Sequence, residues 1–244
     1  MKRLAFLASV LLLAACQDVA PPPVAPQPGL ARGIDLATDA RDVSLELKDS
    51  GLDFVARYYR DPASRWPSLS VAEARMLSAA GMRIVAVWES HSHRPDYFSY
   101  ASGYADGMAA YRQAKEIGQP AGSAIYFAVD FNAQDGDIRG AVDPYFRGVA
   151  AGLQAAAGQA PDYRIGVYGS GAVCDYLKRA RLAEYAWLSN STAWSGYDRF
   201  ADWNIRQSRG SAPLSFSHDV NQARGDYGGF RVPGSLTSPG LTEL

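Results

Sequence analysis

The chain predicts a small, single-domain α/β protein, a (β/α)8 TIM barrel. Three observations carry that prediction. Eight short runs rich in β-branched and aromatic residues read as strands. Most of them are separated by helical patterns, which implies a parallel sheet with right-handed crossovers. No glycine-rich dinucleotide fingerprint follows the first strand, and this lowers the alternative, an open doubly wound sheet.

The strand readings, in order, are Gly33–Leu36, Phe54–Tyr59, Arg83–Glu89, Ala124–Asp130, Arg164–Tyr168, Tyr185–Leu188, Asn204–Gln207 and Phe216–Val220. Between the second and third, Ser70-Val71-Ala72-Glu73 is a capping box, and the helix it opens ends at Gly81. Tyr100–Ile117 is Ala-rich with helical apolar spacing and closes at Gly118. Asp143–Ala157 is similar and closes at Gly158, and Asp175–Ala180 lies in another helix. The later connections, 189–202 and 208–215, are shorter and less regular.

The N-terminus sets the compartment. Lys2 and Arg3 form a positive n-region, and Leu4–Leu13 is an apolar segment too short to span a bilayer. Leu13-Ala14-Ala15-Cys16 resembles the lipobox of bacterial lipoproteins, in which Cys16 would carry the acyl chains. The bland alternative is an ordinary signal peptide with a chance Cys; the full order of n-region, h-region and box favours lipidation. The Pro-rich stretch that follows cannot build helix or sheet and reads as an extended stalk. The expected organisation is therefore a signal peptide over 1–15, a lipidated Cys and stalk over 16–30, a barrel over 31–232 and a flexible Gly/Ser/Pro/Thr tail over 233–244. The expected location is the cell envelope, periplasmic or outer-membrane, with the membrane engaged through Cys16.

Formal charge is −1 for the chain, and −3 once Lys2 and Arg3 are subtracted. No basic run or stripe is present, so nucleic acid is not an expected partner. With Cys16 lipidated, Cys174 has no partner within the chain, and it reads as a small buried hydrophobe rather than a nucleophile.

The functional signal lies at the strand ends. Ile125-Tyr126-Phe127-Ala128-Val129-Asp130 is a buried strand that finishes in a carboxylate. A strand interior does so where its end faces water, a ligand or a partner charge. In a barrel, that end is where active sites are built. Asp35, Glu89 and Asp219 fall at three further strand ends, with Tyr59, Tyr168, Trp187, Asn132 and Gln207 beside them. Aromatic faces stack on sugar rings, and paired carboxyls with separated pKa values supply an acid and a base or nucleophile. Arg57 reads as a ligand contact or as an internal partner for Asp35. Any one of these acids alone is as readily a helix cap or a loop ion-pair member; the set of four points to a site. No cofactor and no metal are expected. A metal reading through Glu89, His91 and His93, with His218 and Asp219, is weaker, because Ser-His-Ser-His-Arg-Pro reads as an exposed loop. A Ser170 nucleophile is weaker still, because Gly169-Ser170-Gly171 is not a full nucleophile elbow.

Five pieces in order resemble the bacterial glycoside-hydrolase-like domain found in secreted cell-envelope proteins. They are Gly33-Ile34-Asp35, Phe54-Val55-Ala56-Arg57-Tyr58-Tyr59, Ala124–Asp130, Gly166-Val167-Tyr168-Gly169-Ser170 and Asp219-Val220-Asn221-Gln222. That family resembles the Chalaropsis-type barrel lysozymes of peptidoglycan. The resemblance implies an Asp on strand one, Asp-x-Glu on strand four and an Asp on the last strand. Asp35, Asp130 and Asp219 match; the Glu of Asp-x-Glu, the usual proton donor, falls on Asn132, which cannot act as a general acid. Glu89 is then the candidate to stand in.

The expectation is a hydrolase of glycosidic bonds in peptidoglycan or a related envelope glycan. Asp130 and Glu89 would be its working carboxyls, with Asp35 and Asp219 tuning them. Arg57, Tyr59, Asn132, Tyr168, Trp187 and Gln207 would contact substrate. The rival reading is a non-catalytic glycan-binding module that has lost its general acid at Asn132.

Overall fold

The computed structural model describes residues 29–234 apart from 159, 211 and 213. Cys16, the signal segment and nearly all of the stalk and tail lie outside the described residues. Eight strands close into a barrel in sequence order: β1 (Ala31–Asp35), β2 (Phe54–Tyr59), β3 (Arg83–Trp88), β4 (Ala124–Ala128), β5 (Arg164–Gly169), β6 (Tyr185–Leu188), β7 (Ile205–Ser208) and β8 (Asp219–Ala223).

Strands β1 to β7 pair in parallel. The expected all-parallel barrel fails at β8, which runs antiparallel to both β7 and β1. The cause is the length of the connection. Only residues 209–218 separate β7 from β8, and a parallel crossover needs a dozen residues or more, usually with a helix. The chain therefore turns back as a hairpin-like return. The strand is also shifted: it starts at Asp219 rather than Phe216.

Helices cover the barrel unevenly. They are α1 (Ser44–Asp49), α2 (Val71–Ala79), α3 (Tyr100–Ile117), α4 (Asp135–Asp137), α5 (Asp143–Ala157) and α6 (Gly171–Arg179). A π-helical turn, Ile138–Val142, joins α4 to α5. The expected capping box is present at α2, where Ser70 Oγ accepts from Glu73 N at 3.2 Å and Glu73 accepts from Ser70 N. After β6 there is only a short 3-10 turn, Tyr197–Arg199.

Side chains alternate inward and outward along each strand. The inward set of Phe54, Val85, Tyr126, Tyr185, Trp187 and Ile205 fills the barrel. Two glycines make room: a Cβ on Gly33 would collide with the Phe54 ring, and one on Gly166 would meet the Tyr126 ring. The outward set packs against the helices. Below the barrel the chain after β8 folds across the strand N-termini. Phe230 bridges Ile84, Gly228 O accepts from Ala124 N at 2.9 Å, and Tyr227 stacks on Phe54 at 5.2 Å. The base is closed and the opposite end is open.

Candidate active site

A cavity of about 320 Å³ opens at that end, lined by Asp35, Glu89, Asp130 and Asp219 together with Tyr58, Tyr168, Trp187 and Gln207. All four predicted carboxylates meet there. Asp219 arrives by a different route from the other three. Reversal of β8 puts its first residue, not its last, at the mouth, and register pairs it with Asp35 at the end of β1.

Asp35 is the hub. It accepts from Tyr58 Oη at 3.0 Å, Asn221 Nδ2 at 2.7 Å and Gln207 Nε2 at 3.2 Å. Each of the two amides is held in turn. Asn221 Oδ1 accepts from Trp187 Nε1 at 2.8 Å, and Gln207 Oε1 accepts from Tyr168 Oη at 3.2 Å. Three donors favour the ionised carboxylate, but burial, with Asp219's charge added, opposes it. Burial wins, and Asp35 is lifted from 3.8 to about 6.

Glu89 follows β3, and its N–H still donates to Tyr59 O at 3.2 Å. Burial, then the charge of Asp130, raise it from 4.5 to about 7, against the pull of Arg60. Burial also raises Asp130, opposed by His93, and raises Asp219, opposed by His218. The mouth thus holds Glu89, raised to about 7, beside Asp35, raised to about 6, with Asp130 and Asp219 also raised by burial. Such separation of pKa values is what acid–base chemistry by paired carboxyls requires. Tyr58, Tyr168 and Trp187 supply aromatic walls, with Tyr168 and Trp187 edge to face at 5.3 Å.

Of the predicted contact residues, Tyr168, Trp187 and Gln207 line the cavity, and Arg57, Tyr59 and Asn132 do not. Parity explains the first two. On β2 the inward residues are Phe54, Ala56 and Tyr58, so Arg57 and Tyr59 face the helices. Arg57 is fully buried, with Glu73 of α2 as its partner rather than Asp35, and it also donates to Leu36 O at 2.8 Å. Tyr59 Oη donates to Gln119 Oε1 at 2.8 Å. Asn132 is exposed beyond β4, where its Oδ1 accepts from Ser195 N at 2.8 Å and ties down the β6–β7 loop. Sequence reasoning missed Tyr58 and Asn221; strict alternation from Ala56 and Asp219 would have found both.

The weaker readings also have definite places. Ser170 is buried and caps α6 by accepting from Val173 N at 3.2 Å. Cys174 is fully buried. Both ring nitrogens of His218 face backbone atoms of its own loop, and His91 and His93 are exposed. Among the described residues no three His, Cys, Asp or Glu side chains group as metal ligands. A larger groove of about 840 Å³ lies between α6 and residues 195–200, but none of the four carboxylates lines it.

A closed α/β barrel with a carboxylate-lined mouth at the strand ends is an architecture that glycoside hydrolases use. The family model described as "Rv2525c-like, glycoside hydrolase-like domain" matches residues 45–231, and the chain belongs to that family. FadG of Bacillus subtilis (strain 168) is 30% identical over 191 residues, 73% of this chain and 33% of FadG, so the chain spans about a third of that relative. Among solved structures, Tat-secreted Rv2525c of Mycobacterium tuberculosis, in complex with HEPES, superposes with a TM-score of 0.62 at 22% identity, covering 82% of this chain and 98% of that one. The modular autolysin LytC of Streptococcus pneumoniae, in complex with a synthetic peptidoglycan ligand, gives 0.51 at 10% identity over 81% of this chain and 47% of LytC.

Proposed function

We propose that the protein hydrolyses glycosidic bonds in peptidoglycan or a related envelope glycan. The observation that carries this reading is the convergence of four carboxyls in one aromatic-walled cavity, with Glu89 held near neutrality at about 7. Glu89 donates its proton to the glycosidic oxygen as the bond to the anomeric carbon breaks. Asp130 takes the complementary role, as base to a water or as nucleophile, and the remaining carboxylates stabilise the positive charge that develops on the sugar ring. The autolysin LytC, which shares the fold, was solved with a peptidoglycan ligand, and this supports the choice of glycan.

The test is incubation of the full chain with purified glycan strands and assay of new reducing ends. Asp130→Asn should lower kcat/KM by about 10²–10⁴-fold while circular dichroism stays unchanged. A second reading is a glycan-binding module without turnover. Asn132 favours it, because it occupies the position of the expected proton donor and its amide is committed to the Ser195 backbone. Glycan retained on the protein with no new reducing ends would select that reading and remove the first.

The envelope location is part of the same proposal. Cys16 carries the lipid and the Pro-rich stalk holds the barrel off the membrane. Rv2525c is a Tat-secreted protein, and this supports export. Cys16→Ser should move the protein from the membrane fraction to the soluble fraction and abolish incorporation of labelled palmitate.

A further inference from the structure

Two buried arginines stand three residues apart on β2 and its extension, and only one is satisfied. Arg57 has Glu73 and the Leu36 carbonyl. Arg60 is 8% exposed, and no carboxylate among the described residues forms an ion pair with it. Its Nε has no hydrogen-bond partner among the described residues. Its one polar contact from the side chain is Nη1 to the Glu89 carbonyl at 3.5 Å, the outer limit of a hydrogen bond. The guanidinium lies 4.2 Å over the Tyr58 ring.

The position is built rather than accidental. Arg60 shares the inward parity of Ala56 and Tyr58, one step nearer the rim. Gln113 of α3 grips its backbone from both sides, accepting from Arg60 N at 3.2 Å and donating to Arg60 O at 2.6 Å. Both side-chain neighbours, Tyr58 and Glu89, line the acid cavity; Arg60 is not itself in that lining and adjoins it through these two residues. The charge of Glu89 favours Arg60 from beyond ion-pair distance, but a buried guanidinium with no carboxylate in direct contact is still costly, and its unpaired Nε calls for an explanation. A planar fork with free N–H groups matches the two oxygens of a carboxylate.

We propose that Arg60 is the recognition element of an anion subsite at the β2–β3 rim of the cavity, which takes a carboxylate carried by a sugar residue of the glycan. This rests on the glycan reading above and adds a substrate class: acidic glycan over neutral. Two sources share the chemistry, the lactyl ether carboxylate of an amino sugar and the ring carboxylate of a uronic acid. Occupation has a consequence for its neighbour. The ligand's charge offsets the cation that favours ionised Glu89, so the bound complex holds Glu89 more firmly in its proton-donating form.

The experiment measures binding to the full chain carrying Asp130→Asn, so that no ligand is consumed. The ligands are N-acetylglucosamine–N-acetylmuramic acid oligosaccharides with free carboxylates, the same oligosaccharides with the carboxylates reduced to alcohols, and oligoglucuronate. The free acid should bind about tenfold or more tightly than its reduced form. Adding Arg60→Gln should erase that ratio while affinity for the reduced form is kept, and Arg60→Lys should keep part of it. Preference for the lactyl acid or for oligoglucuronate identifies the source. Equal binding of acid and reduced forms to the parent, or a ratio that survives Arg60→Gln, overturns the subsite. If no oligosaccharide binds, the glycan reading fails separately. The subsite is then judged by the Arg60 Nε–H resonance of the isotope-labelled chain: a shift with free glucuronate but not with glucose supports it, and no shift with either removes it.

Discussion

Asp35 shows how a single residue decides what the mouth can do. It accepts from three donors and still holds its proton into the weakly acidic range, because burial outweighs them. Glu89 goes further, to about 7. A raised carboxyl pKa stabilises the fold below the unfolded value near 4, and that contribution is lost as pH rises through the folded value. The direction for Asp35 and Glu89 is therefore a protein that loses stability between about pH 4 and 7. Urea midpoints measured across that range should fall with pH, and Glu89→Gln should flatten the slope above pH 6. With Glu89 as proton donor, kcat/KM should decline as pH rises through about 7, and this limb should vanish in Glu89→Gln. The four acids were legible from the sequence because each ends or begins an apolar run. The faces of Arg57 and Tyr59 were not, because on a short strand a one-residue error in parity sends every side chain to the other side.

At the scale of elements, two couplings hold the outer layer. Glu73 closes its own helix cap and also accepts from the buried Arg57 and from Ala40 N at 2.8 Å. Removing it leaves an unpaired cation under α2, so Glu73→Ala should destabilise by about 3–5 kcal/mol in urea denaturation. Helices α3 and α5 meet backbone to backbone. A Cβ on Gly103 would strike the Tyr145 carbonyl, one on Gly107 that of Val149, and one on Gly148 that of Tyr100. Gly107→Val or Gly148→Val should force the pair apart at about 1–3 kcal/mol, seen as a melting temperature lower by several degrees. The helix starts at Ser70 and the stops at Gly118 and Gly158 were readable, because caps are local chemistry. The direction of β8 was not read from its own residues. It depends on the ten-residue connection before it, whose shortness excludes a crossover.

At the scale of the whole molecule, closure is shared between the eight strands and the segment after them. Tyr227 and Phe230 cover the inner and outer ends of the base, and Tyr126 Oη donates to Tyr227 O at 2.9 Å. A chain ending at Arg224 should expose the ring of Phe54 and the floor beneath Tyr126. It should bind a hydrophobic dye and unfold at lower temperature than the intact chain. The barrel itself was foreseen from eight apolar runs and their spacing; the base was not, because a short irregular segment carries no periodicity. Reversal of β8 has one more effect. Ala31 pairs with Ala223, so the polypeptide enters and leaves at the same pole, opposite the carboxylates. A lipid anchor at Cys16, as proposed above, would join the barrel at its sealed end, with the acid mouth at the opposite pole.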